Sequence, residues 1–181
     1  MSNHEIKLLP REKWKGHLLE MSYTSEGRYN AVVRSERGHF SAAFTYESCE
    51  PFSVCRVGSE DDALYADWWE GAEAYGLFPD GADMPAAIIE VCPEKWSNRM
   101  RVTEMWVDAP YRRRGYGSAL MDLAKRLAVE RGYRCLMVET QSCNAPAISF
   151  YLAQGFEFIG FDRCCYVERG EVRIELGWFP R

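Results

Sequence analysis

No apolar run in the chain approaches membrane-spanning length, and Met1 through Trp14 is polar and charged where a secretory signal needs a continuous hydrophobic stretch. The expected compartment is therefore the cytoplasm, with no membrane partner. Histidine is scarce: the three residues, His4, His17 and His39, are scattered near the amino terminus, and no His, Cys and acid spacing resembles a metal site. Seven cysteines form no C-x-x-C pair, and the odd count argues against a disulfide framework, so they are expected to be mostly buried, reduced thiols. An excess of positive charge is also missing. The net charge of −5 makes nucleic acid an improbable partner, because a phosphate backbone demands a basic surface. Repeats, low-complexity tracts and linkers are absent.

What is present suits an ordinary folded domain. The 181 residues are 47% hydrophobic and 27% charged, enough for one domain with its own core spanning residues 1–181. Charge is unevenly placed. Glu60, Asp61, Asp62, Asp67, Glu70, Glu73, Asp80 and Asp83 form an acidic stretch without an intervening Lys or Arg, whereas Arg112, Arg113 and Arg114 make a basic cluster. Two ligands of opposite charge would account for that division.

Local patterns predict the elements. A short helix is expected around Lys13 to Met21, and a β-hairpin from Tyr29–Arg34 and His39–Tyr46 around Glu36-Arg37-Gly38, ended by Pro51. Alanines and aromatics from Asp61 to Tyr75 suggest a helix stopped by Gly76 and Pro79. Ala86–Cys92 and Arg101–Val107 read as adjacent antiparallel strands. Leu120, Leu123, Ala124, Leu127 and Ala128 repeat at helical spacing, and Gly132 is placed to end that helix. Cys135–Glu139 reads as a buried strand, Ala147–Ala153 as a helix closed by Gly155, and the remainder from Phe156 as strands with a turn at Arg169-Gly170. Val172, Ile174 and Leu176 alternate with Arg173 and Glu175, as a half-buried strand requires. The resulting class is α/β or α+β with a sheet flanked by helices.

One segment carries chemistry: Val107-Asp108-Ala109-Pro110-Tyr111-Arg112-Arg113-Arg114-Gly115-Tyr116-Gly117-Ser118 is a strand end, a basic glycine-containing loop and a helix start. Backbone N–H groups and the positive end of a helix dipole converge there, which suits phosphate. The loop does not match G-x-x-x-x-G-K-[ST], and Leu120 stands where a dinucleotide fingerprint has its third glycine, so nucleotide hydrolysis and hydride transfer lose support.

Arg112-x-x-Gly115-x-Gly117 resembles the acetyl-CoA signature R/Q-x-x-G-x-G/A of the GNAT superfamily of N-acetyltransferases. Asn144-x-x-Ala147-x-x-x-Tyr151-x-x-x-Gly155-Phe156 is similar to that superfamily's second block, in the same order and spacing. The resemblance covers about residues 86–178, the acetyl-CoA core, and leaves residues 1–85 as a variable acceptor-side half. It implies the GNAT fold, a mixed and mostly antiparallel central sheet flanked by helices and splayed at the acetyl-CoA site. The beginning Glu139-Thr140-Gln141, the later Gly160-Phe161-Asp162 and Tyr166, the ending Glu171-Val172 to Trp178, and Trp96 are similar to streptothricin acetyltransferases and related antibiotic-modifying enzymes.

The resemblance implies that a deprotonated amine attacks the acetyl thioester directly while an acid protonates the departing thiolate. The acid is then Tyr151. The cosubstrate contacts are the backbone of Trp106 and Val107, the loop residues Arg112, Arg113, Arg114, Gly115, Tyr116, Gly117 and Ser118, and Asn144, which is equally suited to cap a helix. Two carboxylates compete as base. Glu104 aligns with an acid of the streptothricin-type enzymes, whose neighbouring second acid is Thr103 here. Glu139 aligns with the acid of ribosomal-protein alanine acetyltransferases. Trp68, Trp69 and Glu70, within the acidic stretch, suit a cationic and partly apolar acceptor such as a streptothricin, an aminoglycoside or a polyamine. Acetylation of a protein or peptide amine is the alternative activity, and a catalytically silent acyl-CoA-binding module is the alternative from another class. Intact Gly115, Gly117 and Tyr151 weigh against the silent module. A homodimer is a further partner that the superfamily suggests. Cys143 is the one cysteine placed to suggest a nucleophile.

Overall fold

The computed structural model describes residues 4–166 and 171–180. The described chain divides into two compact units that interleave along the sequence. The first comprises the segment ending at Met21, Arg56–Val138 and the segment from Gly177; the second comprises Ser22–Cys55 and Glu139–Leu176.

In the first unit, strands β1 (His4–Leu9), β4 (Glu73–Pro79), β5 (Ala87–Glu94), β6 (Arg99–Val107) and the start of β7 (Cys135–Gln141) lie in that spatial order. The first four pair antiparallel, whereas β6 and β7 are parallel. Helix α2 (Tyr116–Glu130) packs its buried face, including Leu120, Met121, Ala124 and Ala128, on β5 and β6. Gly132, at φ 69°, ends it as the sequence indicates. Leu9, Leu19, Leu64, Ala74, Ile88 and Cys92 form a core cluster on the side of Trp69 and Trp106.

The β6–β7 ladder joins Arg99 to Cys135, Met100 to Leu136 and Arg101 to Met137, and β5 pairs with β6 as far as Val107.

In the second unit, β2 (Met21–Glu36) and β3 (His39–Arg56) form a two-stranded ribbon, and the end of β7, β9 (Arg173–Trp178) and β8 (Glu157–Asp162) lie in that order. Helix α3 is Ala145–Ala153. Val172, Ile174 and Leu176 are buried, as their alternation requires. The expected turn at Arg169-Gly170 lies outside the described residues.

The class is α+β, with a mixed and mostly antiparallel sheet and few helices. Four local expectations are corrected. Helix α1 covers Arg11–Trp14 alone, and the chain enters β2 at Met21 rather than continuing as a helix. Pro51 does not end the hairpin: β3 runs through it to Arg56, and a two-stranded ribbon, with an open edge on each strand, is where a proline is tolerated within a strand. The Asp61–Tyr75 segment is a single 3-10 turn at Glu60–Asp62, a run of turns and then β4. Tyr65 at φ 58° and Gly71 at φ 80° break any helical path, and Gly76 and Pro79 belong to the strand instead of stopping a helix. The cysteines are free, but Cys92, Cys135 and Cys143 alone are buried. Cys164 and Cys165 are exposed in a bend.

Candidate active site

The basic loop is built by the strand end and by α2. Asp108 donates its N–H to Ala86 O (2.9 Å), a single 3-10 turn covers Ala109–Tyr111, and the Arg112 Nε donates to Val107 O (2.9 Å). Arg112 therefore braces the loop against β6. Arg113, at φ 59°, and Gly115, at φ 86°, turn the chain into the helix. Gly115 occupies the N-cap without a side chain, so no side-chain cap covers the first turn of α2. A Cβ added there would meet nothing within 4 Å. Gly115 is thus required for its backbone conformation, with open space above it.

Arg113 and Arg114 are exposed, and the Arg114 guanidinium stands 5.5 Å from the Tyr111 ring centroid. Tyr116 is buried against Tyr111 (5.4 Å) and His4 (5.8 Å). That makes Tyr116 a packing residue whose backbone, not its ring, belongs to the loop. Trp106 donates its indole N–H to Glu20 O (3.2 Å).

Glu104 is buried on β6, directly opposite Glu90 of β5. A register shift falls between Glu90 and Val91, so Thr103 is the extra residue of a β-bulge next to Glu104. Bulges of this kind aim neighbouring side chains out of the regular alternation.

The second unit carries the remaining candidates. The turn after β7 is held by Tyr29 N–H to Ser142 O (2.9 Å), Ser142 N–H to Val172 O (2.8 Å) and Val172 N–H to Ser142 Oγ (3.2 Å). Asn144 caps α3, its Oδ1 accepting from Ala147 N (3.2 Å). Tyr151 is buried in α3 between Phe150 and Phe156, with ring centroids at 5.5 and 5.8 Å. Glu139 is exposed and pairs with Arg173 at 3.7 Å. Cys143 is buried, and the Tyr23 hydroxyl lies 3.1 Å from its Sγ. Burial pushes its thiol up to about 11, which disfavours the thiolate a nucleophile needs.

The acidic stretch is partly consumed by the fold. Asp62 pairs with Arg56 (2.8 Å), Asp67 with Lys15, and Glu73 with Arg131. Glu70 and Trp68 are exposed beyond these pairs, while Trp69 packs on the core with Arg101 5.7 Å from its ring centroid. Trp96 is 85% exposed with Arg99 across its ring at 5.4 Å, a surface stack.

Sequence reasoning passed over Glu90 and Arg173. Glu90 is the one charged residue in the apolar run Ala86–Cys92, and that was the available signal. Arg173 gathers Glu139 (3.7 Å), Asp162 (3.6 Å) and Glu175 (3.1 Å), of which Glu139 is 34 residues away and on another strand.

The strand, the glycine loop and the helix start without a side-chain cap follow one another directly in the chain. The chain belongs to the acetyltransferase (GNAT) family, whose sequence profile matches residues 41–156. It is 35% identical over 98 residues to streptothricin acetyltransferase of Streptomyces lavendulae, covering 54% of this chain and 52% of that protein. It is 29% identical to an aminoglycoside N(6')-acetyltransferase type 1 of Klebsiella aerogenes over 74% of this chain and 93% of that one. The match thus spans about half the length of the Streptomyces relative. Among solved structures, a protein of Bacillus anthracis designated a streptothricin acetyltransferase, in complex with acetyl coenzyme A, has TM-score 0.77 at 22% identity, covering 99% of each chain. That likeness is one of fold.

Proposed function

We infer that the protein is an acetyl-CoA-dependent N-acetyltransferase acting on a primary amine of a small cationic acceptor, of the streptothricin or aminoglycoside kind. The observation that carries this reading is the loop Arg112–Ser118, in which a left-handed Gly115 opens α2 without a side-chain cap. The residues suit the cosubstrate: open space lies above Gly115, and two exposed arginines, Arg113 and Arg114, precede it. Pyrophosphate would lie on the N–H groups of Tyr116, Gly117 and Ser118, and a pantetheine amide on the backbone of Trp106 and Val107. Asn144 is assigned to the same arm in addition to its capping role.

Acetyl-CoA supplies the activated acetyl group. The Glu104 carboxylate takes the proton of the acceptor ammonium, directly or through one water, and the Tyr151 hydroxyl gives a proton to the departing sulfur. Glu104 is preferred to Glu139 because it is buried beside a bulge, whereas Glu139 is exposed. Trp68, Trp69 and Glu70 are assigned to the acceptor: Trp68 offers an apolar face 60% exposed, and Glu70 a carboxylate with no ion pair among the described residues. The names of the curated relatives support this acceptor class.

Release of the CoA thiol from acetyl-CoA, followed against streptothricin, aminoglycosides, polyamines and short peptides, tests the reading. Turnover on a cationic small molecule is expected. Turnover confined to peptides would transfer the activity to protein modification, and no turnover with any amine would support a silent acyl-CoA-binding module. No helix among the described residues is long and apolar enough to cross a membrane.

A further inference from the structure

The proposed chemistry leaves Glu90 unused, yet it is the most deeply buried carboxylate of the first unit, with 0% of its surface exposed. A buried charged group persists only where hydrogen bonds repay its lost hydration. Glu90 has two. Its Oε2 accepts from the Tyr65 backbone N–H (2.6 Å), and its Oε1 accepts from the Thr103 hydroxyl (2.8 Å). Tyr65 sits at φ 58°, a conformation that side chains other than glycine adopt at a cost, and its hydroxyl is fixed by Leu9 O and by Ala74 N–H (3.0 Å). Two places further along β5, Cys92 Sγ contacts Glu70 O (3.3 Å). The turn from Tyr65 to Glu70 is thus tied to one strand at both ends, by Glu90 at its start and by Cys92 at its finish. Trp68, at the crest of that turn, is exposed.

We propose that Glu90 is a positioning residue for acceptor specificity: by holding the Tyr65 amide it fixes where the turn presents Trp68 and Glu70, and so sets affinity for the amine without touching it. This rests on the assignment of Trp68 and Glu70 to the acceptor. The hold is one of hydrogen-bond geometry and not of charge. A glutamine can reproduce it, with its carbonyl accepting from Tyr65 N–H and its amide donating to Thr103 Oγ1. Leucine has the bulk and neither bond, and leaves a buried N–H without an acceptor.

The test compares Glu90→Gln, Glu90→Leu and Trp68→Ala with the wild type, by amide hydrogen exchange and by steady-state kinetics with acetyl-CoA and streptothricin. In Glu90→Leu, exchange across residues 65–70 should accelerate at least tenfold while α2 is unchanged. The streptothricin KM should rise at least fivefold, with kcat and the acetyl-CoA KM within twofold of wild type. Glu90→Gln should match the wild type in every readout. If Glu90→Leu does not fold, Glu90→Asp replaces it, since one methylene less prevents the carboxylate from spanning both partners. Wild-type exchange at 65–70, acceleration shared equally by α2, a fall in kcat in place of the KM rise, or a Glu90→Gln protein as impaired as Glu90→Leu would each overturn the proposal. Trp68→Ala separates the two ideas. An unchanged streptothricin KM there, with the turn loosened in Glu90→Leu, sinks the acceptor assignment and with it the specificity role, leaving Glu90 a hold on the turn only. If streptothricin is not turned over, the amine of the panel that is turned over takes its place in the kinetics; with no amine turned over, the specificity role falls with the acceptor assignment, and the exchange comparison tests only the hold on the turn.

Discussion

Glu90 on β5 and Glu104 on β6 face each other across an antiparallel ladder, and both are buried. Carboxylates directly opposite each other oppose one another's ionisation, and in this pair the Glu90 oxygens are already taken by Tyr65 N–H and the Thr103 hydroxyl. Burial pushes Glu90 upward, with the Thr103 and Tyr65 hydrogen bonds opposing that shift, and its oxygens are engaged in holding backbone. Glu104, beside the bulge, is the member assigned to proton transfer.

Replacing Glu104 by Gln should lower kcat by about a hundredfold, the usual scale of a positioned base. A base works only when ionised, so kcat/KM rises with pH through its pKa, and that acidic limb should flatten in the variant. Profiles of Glu104→Gln and Glu139→Gln, taken over about pH 5 to 9, make the check. Glu139→Gln should keep the limb, because Glu139 is exposed and paired with Arg173.

Tyr151→Phe keeps the aromatic packing against Phe150 and Phe156 and removes only the hydroxyl. Turnover should fall at least about tenfold, about 1.4 kcal/mol in the barrier. The acetyl-CoA KM should stay within about twofold, since the ring contributes no assigned cosubstrate contact. Equal turnover would remove Tyr151 from the proton path.

Gly115→Ala places a side chain at φ 86°, where there is room but the backbone conformation is costly. A penalty of about 1–2 kcal/mol is expected. Thermal unfolding should shift downward by roughly 2–8 °C for a chain of this size. Acetyl-CoA affinity should fall with it, as the loop relaxes from the conformation that opens α2.

Acid should weaken the protein partly through Glu73. Its carboxylate receives Arg131 Nη1 and Nη2 at 2.9 and 2.7 Å, and these hydrogen bonds, with lesser help from Tyr75, hold its pKa below the ordinary 4.5. A depressed carboxylate contributes stability that is complete above its unfolded pKa and is lost as pH falls through the folded one. Below about pH 4.5 the wild type should therefore lose melting temperature faster than Glu73→Gln. Above that pH the two curves should run parallel, and parallel curves throughout would exclude the linkage.

Native thiol chemistry should divide the cysteines. Burial raises the Cys92 and Cys143 thiols to about 11 and pushes Cys135 upward as well. Iodoacetamide at mildly alkaline pH, read by peptide mass spectrometry, should label Cys55, Cys164 and Cys165 and spare the buried three until the chain is unfolded.

Local patterns were legible where one face of an element meets a core. Helix α2 announces itself through Leu120, Leu123, Ala124, Leu127 and Ala128, and β9, with the residue before it, through Val172, Ile174 and Leu176, because burial imposes periods of 3.6 and 2 on the sequence. The GNAT blocks were legible for a different reason. A phosphate cradle and a helix cap need glycine and asparagine at fixed offsets along one stretch of chain.

The Asp61–Tyr75 segment shows where local reading ends. Its alanines, aromatics and acids satisfy helix propensity, yet Glu90 from β5 and Leu9 from β1 claim the Tyr65 amide and hydroxyl and draw the segment into a turn. Propensities worth tenths of a kcal/mol per residue yield to a buried carboxylate that needs donors. The acidic stretch divides in the same way, with Asp62, Asp67 and Glu73 drawn into pairs with Arg56, Lys15 and Arg131.

By itself, then, the sequence determined the family and helix α2 with the glycine that opens it, since both are written at short range. Only the tertiary structure decided which acids are spent on the fold, that Glu90 lies opposite Glu104, and that Trp68 is presented on a clamped turn. Those outcomes depend on strands brought together from distant parts of the chain, where a buried group takes whatever partner the packing supplies.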